Sequence, residues 1–367
     1  MEHDDVLTMI PGPTPVLPSI LEALGQPTSS HQAPAFVETF RLCLAELKQI
    51  AFAAAARPFV VSGAGTLGME MALVNLIGPG EQLLVVSQGY FGDRWAELAA
   101  AFGVPHHVLR AEWGRAVPAE LVARAVAEGR FAAVAMTHVD TSTGAAAPVR
   151  DYCRALAGRD ELAIVDGVCA TAAIEERFDD WGMDVLLTGA QKALGAPPGV
   201  AIVLASERAL AKRRALGRIP AYYADLARWS RVMDDPAAYF STPPVNEIVA
   251  LREATRTVLA EGLDARFERH ARLARAMREG FAALGLEMFT APDCRAETLS
   301  VLLYPAGVDD ARFRSAVAHR GVVLAGALGP LAGRAFRVGH MGNIGDREVE
   351  RTLRAIGDGL REAGPGL

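Results

Sequence analysis

A primary amine is the scarcest cation in this chain: of 37 basic residues only Lys48, Lys192 and Lys212 are lysines. Lys192 sits in Ala190-Gln191-Lys192-Ala193-Leu194-Gly195, just past the apolar run Val185 to Leu187. A lysine kept there by a chain that otherwise uses arginine points to work only an amine can do, because a guanidinium does not form an imine with an aldehyde. The chemistry implied is attachment of a carbonyl cofactor; the competing reading is a surface lysine in a loop. Asp166 ends the apolar run Leu162 to Val165, where a buried carboxylate needs a cation or good hydrogen bonds. A protonated pyridine nitrogen would serve, and the pairing would keep such a ring a strong electron sink; a capping or turn aspartate is the plain alternative. Arg337, between Phe336 and Val338, wants a two-pronged anion such as a substrate carboxylate, or a structural salt bridge.

These residues need elements that bring them to one place. From about residue 57 to 205, short apolar runs alternate with helix-length segments: Phe59 to Val61, Leu83 to Val86, Phe131 to Met136, Leu162 to Val165, Val185 to Leu187 and Val200 to Leu204. Runs apolar on both sides predict strands covered on both faces in a mostly parallel sheet. Pro197-Pro198-Gly199 predicts an antiparallel entry to the last of them. Open parallel sheets bind ligands at the carboxyl ends of their strands. Those positions hold Ser62-Gly63-Ala64-Gly65-Thr66, Gln88-Gly89-Tyr90-Phe91-Gly92, His138-Val139-Asp140-Thr141-Ser142-Thr143-Gly144, Asp166 and Gln191-Lys192. Gly63 to Gly68 fits G-x-G-x-x-G, but the next strand ends Val86-Ser87-Gln88-Gly89 without the acid that would hold a ribose, which weighs against a nicotinamide dinucleotide. What remains is an anion site, made of free N–H groups at a helix N-terminus with the Thr66 hydroxyl, or a glycine turn with no ligand.

After Pro243-Pro244 come Arg- and Glu-rich amphipathic segments at about 245–261 and 264–284. Strands near 286–289, 298–304, 322–325 and 335–338 and a final helix from about Asp346 complete a smaller α+β domain. The expected division is residues 1–244 for an N-terminal segment with the large domain and 245–367 for the small one. A length of 367 residues suits two cores, and 51% hydrophobic with 22% charged residues excludes a disordered chain. A net charge of -6 and the lack of a Lys/Arg block oppose nucleic-acid or lipid partners. The acidic start Met1-Glu2-His3-Asp4-Asp5 and the absence of a long apolar stretch predict a cytoplasmic protein. Cys43, Cys153, Cys169 and Cys294 are scattered, so neither a metal site nor a disulfide framework is expected.

An ordered set of short segments is the most specific feature: Pro11-Gly12-Pro13, Ser62 to Thr66, Asp140 to Gly144, Val165-Asp166, Gln191-Lys192-Ala193-Leu194 with Pro197-Pro198-Gly199, Tyr239 to Pro244, and Arg337-Val338-Gly339-His340-Met341-Gly342. Over nearly the whole chain this set resembles the class V (fold type I) aminotransferases, in particular the alanine-glyoxylate, serine-glyoxylate and serine-pyruvate branch. The resemblance implies an α/β fold of the pyridoxal-phosphate-dependent transferase type I, with a mostly parallel seven-stranded sheet in the large domain and a smaller α+β C-terminal domain. It implies pyridoxal 5'-phosphate carried by Lys192 as a Schiff base, with Asp166 on the pyridine nitrogen, Thr141 beside the ring, and Gly65, Thr66 and Gln191 on the phosphate. Phe91 falls where relatives often stack a tryptophan. Tyr239 and Thr242 would reach the phosphate of the other subunit, which implies a homodimer with shared sites. Arg337 and the backbone around Gly12 would hold the substrate carboxylate. Val168-Cys169-Ala170 departs from the serine-containing stretch of relatives.

The activity so implied is a ping-pong transfer of an amino group from alanine or serine to glyoxylate or pyruvate, with the Lys192 amine moving the proton. Glu112-Trp113-Gly114 with Asp140 to Gly144 is also similar to the ureidoglycine-glyoxylate branch, and Gly89 to Arg94 to 2-aminoethylphosphonate-pyruvate enzymes. A cysteine desulfurase would need a reactive loop cysteine, for which Cys294 is the only loop-like candidate. His31 and His340 are further candidates for the pocket or for structural roles.

Overall fold

The computed structural model describes residues 6–364; the acidic stretch Met1 to Asp5 lies outside them. Seven strands form the main sheet: β1 (Arg57–Ser62), β2 (Leu83–Ser87), β3 (His106–Arg110), β4 (Ala133–Thr137), β5 (Leu162–Asp166), β6 (Val185–Gly189) and β7 (Val200–Ala205). Their spatial order is β1-β7-β6-β5-β4-β2-β3. All neighbours run parallel except β7, which is antiparallel to both β1 and β6. The Pro197-Pro198-Gly199 turn accounts for it, since a short connection can only return the chain antiparallel.

Every residue of β2, β4, β5, β6 and β7 is buried, as strands covered on both faces must be. The sequence did not announce β3. Its His106-His107-Val108-Leu109-Arg110 is polar and half-exposed because it is the sheet edge, where a charged strand discourages pairing with another chain. Register brings the chemistry together: Thr137 pairs with Asp166, and Asp166 with Leu187, so β4, β5 and β6 end side by side.

Seven helices matter for the rest: α1 (Pro34–Ile50), α2 (Gly65–Leu76), α3 (Tyr90–Ala101), α4 (Val245–Glu261), α5 (Leu263–Ala283), α6 (Asp310–Ala318) and α7 (Asp346–Ala363). The buried face of α4, from Val245 through Ile248, Leu251 and Ala254 to Val258, joins the core of the large sheet and packs on α1. A second core gathers Leu273, Met277 and Phe281 of α5, Phe313 of α6, Phe336 and Ile356, together with Leu7 and Met9 from the start of the described chain. Leu7–Thr8 pairs in parallel with Val322–Val323 to hold that segment. Each such aliphatic or aromatic side chain taken out of water contributes about 1.5–3 kcal/mol.

The small sheet contains β8 (Leu299–Leu303), β9 (Ala325–Gly326) and β10 (Ala335–Gly339) in the order β8-β10-β9, antiparallel throughout. The strand expected near 286–289 is reduced to a single bridge between Met288 and Leu302. Between the two cores, Val139, Cys169, Ala193, Val301 and Ala335 form a third apolar cluster that fastens the sheet ends to the small domain. No helix among the described residues is long and apolar enough to cross a membrane, and no group of His, Cys, Asp or Glu among them could hold a metal ion.

Candidate active site

Seven residues singled out in the sequence line one cavity at the carboxyl ends of the strands: Gly65, Thr66, Phe91, Thr141, Asp166, Gln191 and Lys192. Ala64, Met69, Arg94, Val139, Val168 and Cys169 complete its wall. A roomier cleft, about 660 Å³ against 150 Å³, lies on the surface where Arg154, Arg177 and Arg208 already pair with Asp151, Glu175 and Asp184. Those charges are spent on one another, whereas Lys192, Asp166 and Arg94 in the smaller cavity form no ion pair among the described residues.

Lys192 lies just past β6, and the backbone around it is held by Thr14 and Arg266. The Thr14 hydroxyl donates to the Lys192 carbonyl at 2.8 Å and the Thr14 N–H to the Gln191 carbonyl at 3.1 Å. Arg266, only 1% exposed, reaches from α5 to donate to the carbonyls of Ala193 (2.5 Å) and Ala172 (2.8 Å) while pairing with Glu261. The amine itself donates to the Pro11 carbonyl. Gly12, at φ +102°, passes so close that a Cβ there would lie 2.7 Å from Lys192 Nζ, which only glycine permits.

Asp166 is 4% exposed at the end of β5. Its carboxylate accepts from the Val168 N–H at 3.0 Å and from the Thr137 hydroxyl at 3.4 Å, and no cationic side chain among the described residues bonds it. Burial pushes its pKa up from the ordinary 3.8 to about 6, with Asp140 and Glu176 adding to the rise and the Val168 N–H and Lys192 opposing it. Ionising it there costs free energy unless a cation comes close.

Sequence reasoning placed Asp140 in a motif but gave it no task. Its buried carboxylate accepts from the N–H groups of Phe91 and Gly92, each at 2.9 Å, and from the N–H (2.9 Å) and hydroxyl (2.6 Å) of Ser142. One side chain therefore fixes both the start of α3, which carries Phe91, and the loop that carries Thr141; an acid at a helix N-terminus also meets the helix dipole favourably. Gly89 allows the approach, because a Cβ there would meet the Asp140 carboxyl at 2.8 Å. Gln191 contributes a buried Oε1 without a hydrogen-bond partner, and α2 begins at Gly65 with no side-chain cap.

Arg337, on β10, stands behind Thr141. Its Nε donates to the Gly326 carbonyl at 2.8 Å and its Nη1 to the Thr141 carbonyl at 3.3 Å, while Nη2 bonds nothing among the described residues. No carboxylate there pairs with it, so the structural salt bridge is not what holds it; burial lowers its pKa and Cys169 and Asp140 oppose that. Tyr239 and Thr242 lie elsewhere, exposed on the surface and outside the cavity, with Tyr239 60% exposed and its ring 5.4 Å from that of His31. His340 is buried, with Nε2 3.0 Å from the Ser300 hydroxyl and Nδ1 3.1 Å from the Glu297 carbonyl, and burial pushes its pKa down to about 3. Cys294 is buried against the Gly114 carbonyl at 3.4 Å, and burial raises its thiol pKa, the reverse of a reactive loop cysteine.

Comparison with known proteins identifies the family. A family model described as aminotransferase class-V matches residues 23–331. An uncharacterized aminotransferase of Methanocaldococcus jannaschii is 34% identical over 98% of this chain and 93% of its own length. Alanine-glyoxylate aminotransferase 1 of Saccharomyces cerevisiae is 33% identical over 91% of each chain. The crystal structure of ureidoglycine-glyoxylate aminotransferase from Bacillus subtilis superposes with a TM-score of 0.95 at 30% identity, covering 99% of this chain and 94% of that one. The chain belongs to the class-V aminotransferases and is a transaminase whose cofactor is pyridoxal 5'-phosphate.

Proposed function

We propose that this transaminase moves the amino group of alanine or serine to glyoxylate or pyruvate, in a site completed across a homodimer. The cavity fits the cofactor on three counts: an amine at Lys192, a buried carboxylate at Asp166 lacking a bonded cation among the described residues, and free donors for an anion at the uncapped start of α2 with the Thr66 hydroxyl. When bound, pyridoxal 5'-phosphate supplies the aldehyde that accepts the amino group and the ring that withdraws the electrons of the broken Cα–H bond.

The chain's own groups supply the rest. Lys192 would carry the cofactor and then, once displaced by substrate, take the proton from Cα with its free amine. Asp166 would hold positive charge at the ring nitrogen, Phe91 would cover one ring face, and Thr141 would sit at the ring edge. Gly65, Thr66 and Gln191 would hold the phosphate, with Tyr239 and Thr242 doing so for the partner subunit's site.

The observation that supports a small α-amino acid is Arg337: a half-buried guanidinium with no carboxylate partner, its Nη2 uncommitted, set behind Thr141 and beside Gly326. Such a fork matches one substrate carboxylate. A panel of amino donors against glyoxylate and pyruvate, read as keto acid formed, tests the reading. Alanine or serine should lead, and (S)-ureidoglycine as clear leader would reassign the donor. Arg337→Lys keeps the charge but loses the planar fork, and should lower kcat/KM for α-amino acids by about 1–3 kcal/mol, or about 5- to 150-fold. An amine without a carboxylate should be indifferent to it. If alanine and serine kinetics were untouched while aminoethylphosphonate remained a good donor, the α-amino-acid reading would have to be given up.

A further inference from the structure

Of the residues lining the cavity only two are cationic, Lys192 and Arg94. Lys192 has its task at the carbonyl end. Arg94, on the first turns of α3, has none assigned, yet its placement is specific. Its Nη1 donates to the Thr66 hydroxyl oxygen at 3.2 Å, and its guanidinium carbon lies 4.7 Å from the ring centre of Phe91 and 5.3 Å from that of Tyr90. No carboxylate pairs with it among the described residues. Asp93, its neighbour in sequence, is taken by Arg110 at 2.8 Å and by the Ser87 hydroxyl at 2.7 Å.

The hydrogen-bond direction carries the argument. A guanidinium can only donate, so the Thr66 oxygen is the acceptor and the Thr66 proton is left to donate to something else. Thr66 is the second residue of α2, whose start has no side-chain cap and provides about half a positive charge. A phosphate ester carries a charge of about -1.5 to -2 near neutral pH, more than half a charge can balance. We propose that Arg94 is the cation that neutralises the cofactor's phosphate, bonding it directly and turning the Thr66 hydroxyl toward it. The proposal rests on the transaminase reading and sharpens it. The cavity then has two poles: Asp166 for the cationic ring nitrogen and Arg94 with the α2 N-terminus for the anion. The stacking on Phe91 fixes the guanidinium, since a cation over an aromatic face is held in a defined place.

The test compares pyridoxal 5'-phosphate with pyridoxal, which differs only in lacking the phosphate. Dissociation constants for both are measured by absorbance titration on cofactor-free wild type, Arg94→Gln and Arg94→Lys. Arg94→Gln should weaken pyridoxal 5'-phosphate by about tenfold to a hundredfold, the range of a charge-assisted hydrogen bond, and pyridoxal by about twofold or less. Arg94→Lys, which keeps the charge without the fork, should fall between. Inorganic phosphate should raise the melting temperature of the cofactor-free wild type more than that of Arg94→Gln. Equal weakening of both aldehydes would overturn the proposal, because Arg94 would then be packing the ring wall. Unchanged affinity for pyridoxal 5'-phosphate would overturn it as well, while leaving the transaminase reading standing. Wild type that takes up neither aldehyde in a borohydride-fixable form at Lys192 would overturn that reading and the proposal with it.

Discussion

Asp166→Asn should make the cofactor-free protein more stable while disabling the enzyme. The carboxyl is 4% exposed, bonds only the Val168 N–H and the Thr137 hydroxyl among the described residues, and has its pKa pushed from 3.8 to about 6 by burial. A carboxyl whose folded pKa is raised costs stability when ionised. The cost is absent below about pH 4, grows as pH rises from 3.8 toward 6, and is complete above that. At 1.36 kcal/mol per tenfold, the full cost is about 3 kcal/mol at pH 8 and about 1.6 kcal/mol at pH 5. An isosteric amide removes it and can still accept from Val168. Urea melts of cofactor-free wild type and Asp166→Asn at pH 8 and pH 5 should therefore show the variant ahead by up to about 3 kcal/mol, with the lead roughly halved at the lower pH. Asp140 also titrates high, but it is present in both proteins and largely cancels in the difference. Loaded with cofactor, the variant should lose most of its turnover, because a neutral amide cannot hold positive charge at the ring nitrogen. A variant less stable than wild type at pH 8, or a difference that ignores pH, would refute the reasoning that Asp166 is a strained charge.

Three further outcomes are expected. Borohydride should fix the cofactor on Lys192 and on neither Lys48 nor Lys212, as read by peptide mapping, and Lys192→Ala should still bind pyridoxal 5'-phosphate yet show no transamination above background. Mixing inactive Lys192→Ala with inactive Tyr239→Phe/Thr242→Ala should restore part of the activity after subunit exchange, and none if each site is built from one chain. Gly12→Ala forces a side chain into φ +102° and against Lys192; it should cost about 1–3 kcal/mol in a thermal melt and slow fixation of the cofactor, whereas unchanged kinetics would mean the Lys192 amine does not depend on that approach.

How much of this was legible in the sequence follows from burial. Strands covered on both faces declare themselves as apolar runs, so the residues ending them, Asp166 and the Gln191-Lys192 pair, could be found by position alone. Edge strand β3 could not, because its exposed His107 and Arg110 break the pattern that burial imposes on its neighbours. Phe91 and Thr141 stood out individually, but that Asp140 ties Phe91 to Ser142, the neighbour of Thr141, came from a hydrogen-bond network no spacing encodes. Arg266 is hidden for a related reason: in an Arg-rich amphipathic helix it reads as a solvated charge, and only the fold turns it inward to clamp Ala193 and Ala172. Arg94 looked equally ordinary, one arginine among many; the signal available was its position four residues past Tyr90 on a helix that starts at a strand end.

These groups share a physical condition. Asp166 has no bonded cation, and Arg94 and Arg337 have no carboxylate partner, among the described residues. Several other buried charges are paired: Arg213 with Asp225, Arg266 with Glu261, His138 with Glu176. Asp166 and Arg94 line one cavity at the strand ends, and charges left without an ion pair there cost stability that packing elsewhere must offset. A ligand that meets several of them at once recovers that cost as affinity, and by mass action it also stabilises the fold in proportion to its excess over the dissociation constant. In the proposed placement of the cofactor, the groups would answer different parts of one molecule, a cation at Asp166 and an anion at Arg94. Pyridine and phosphate fragments should therefore each stabilise the chain alone, and the joined cofactor should do so by more than the two together, because only the joined molecule has already met the entropic cost of bringing its ends into place.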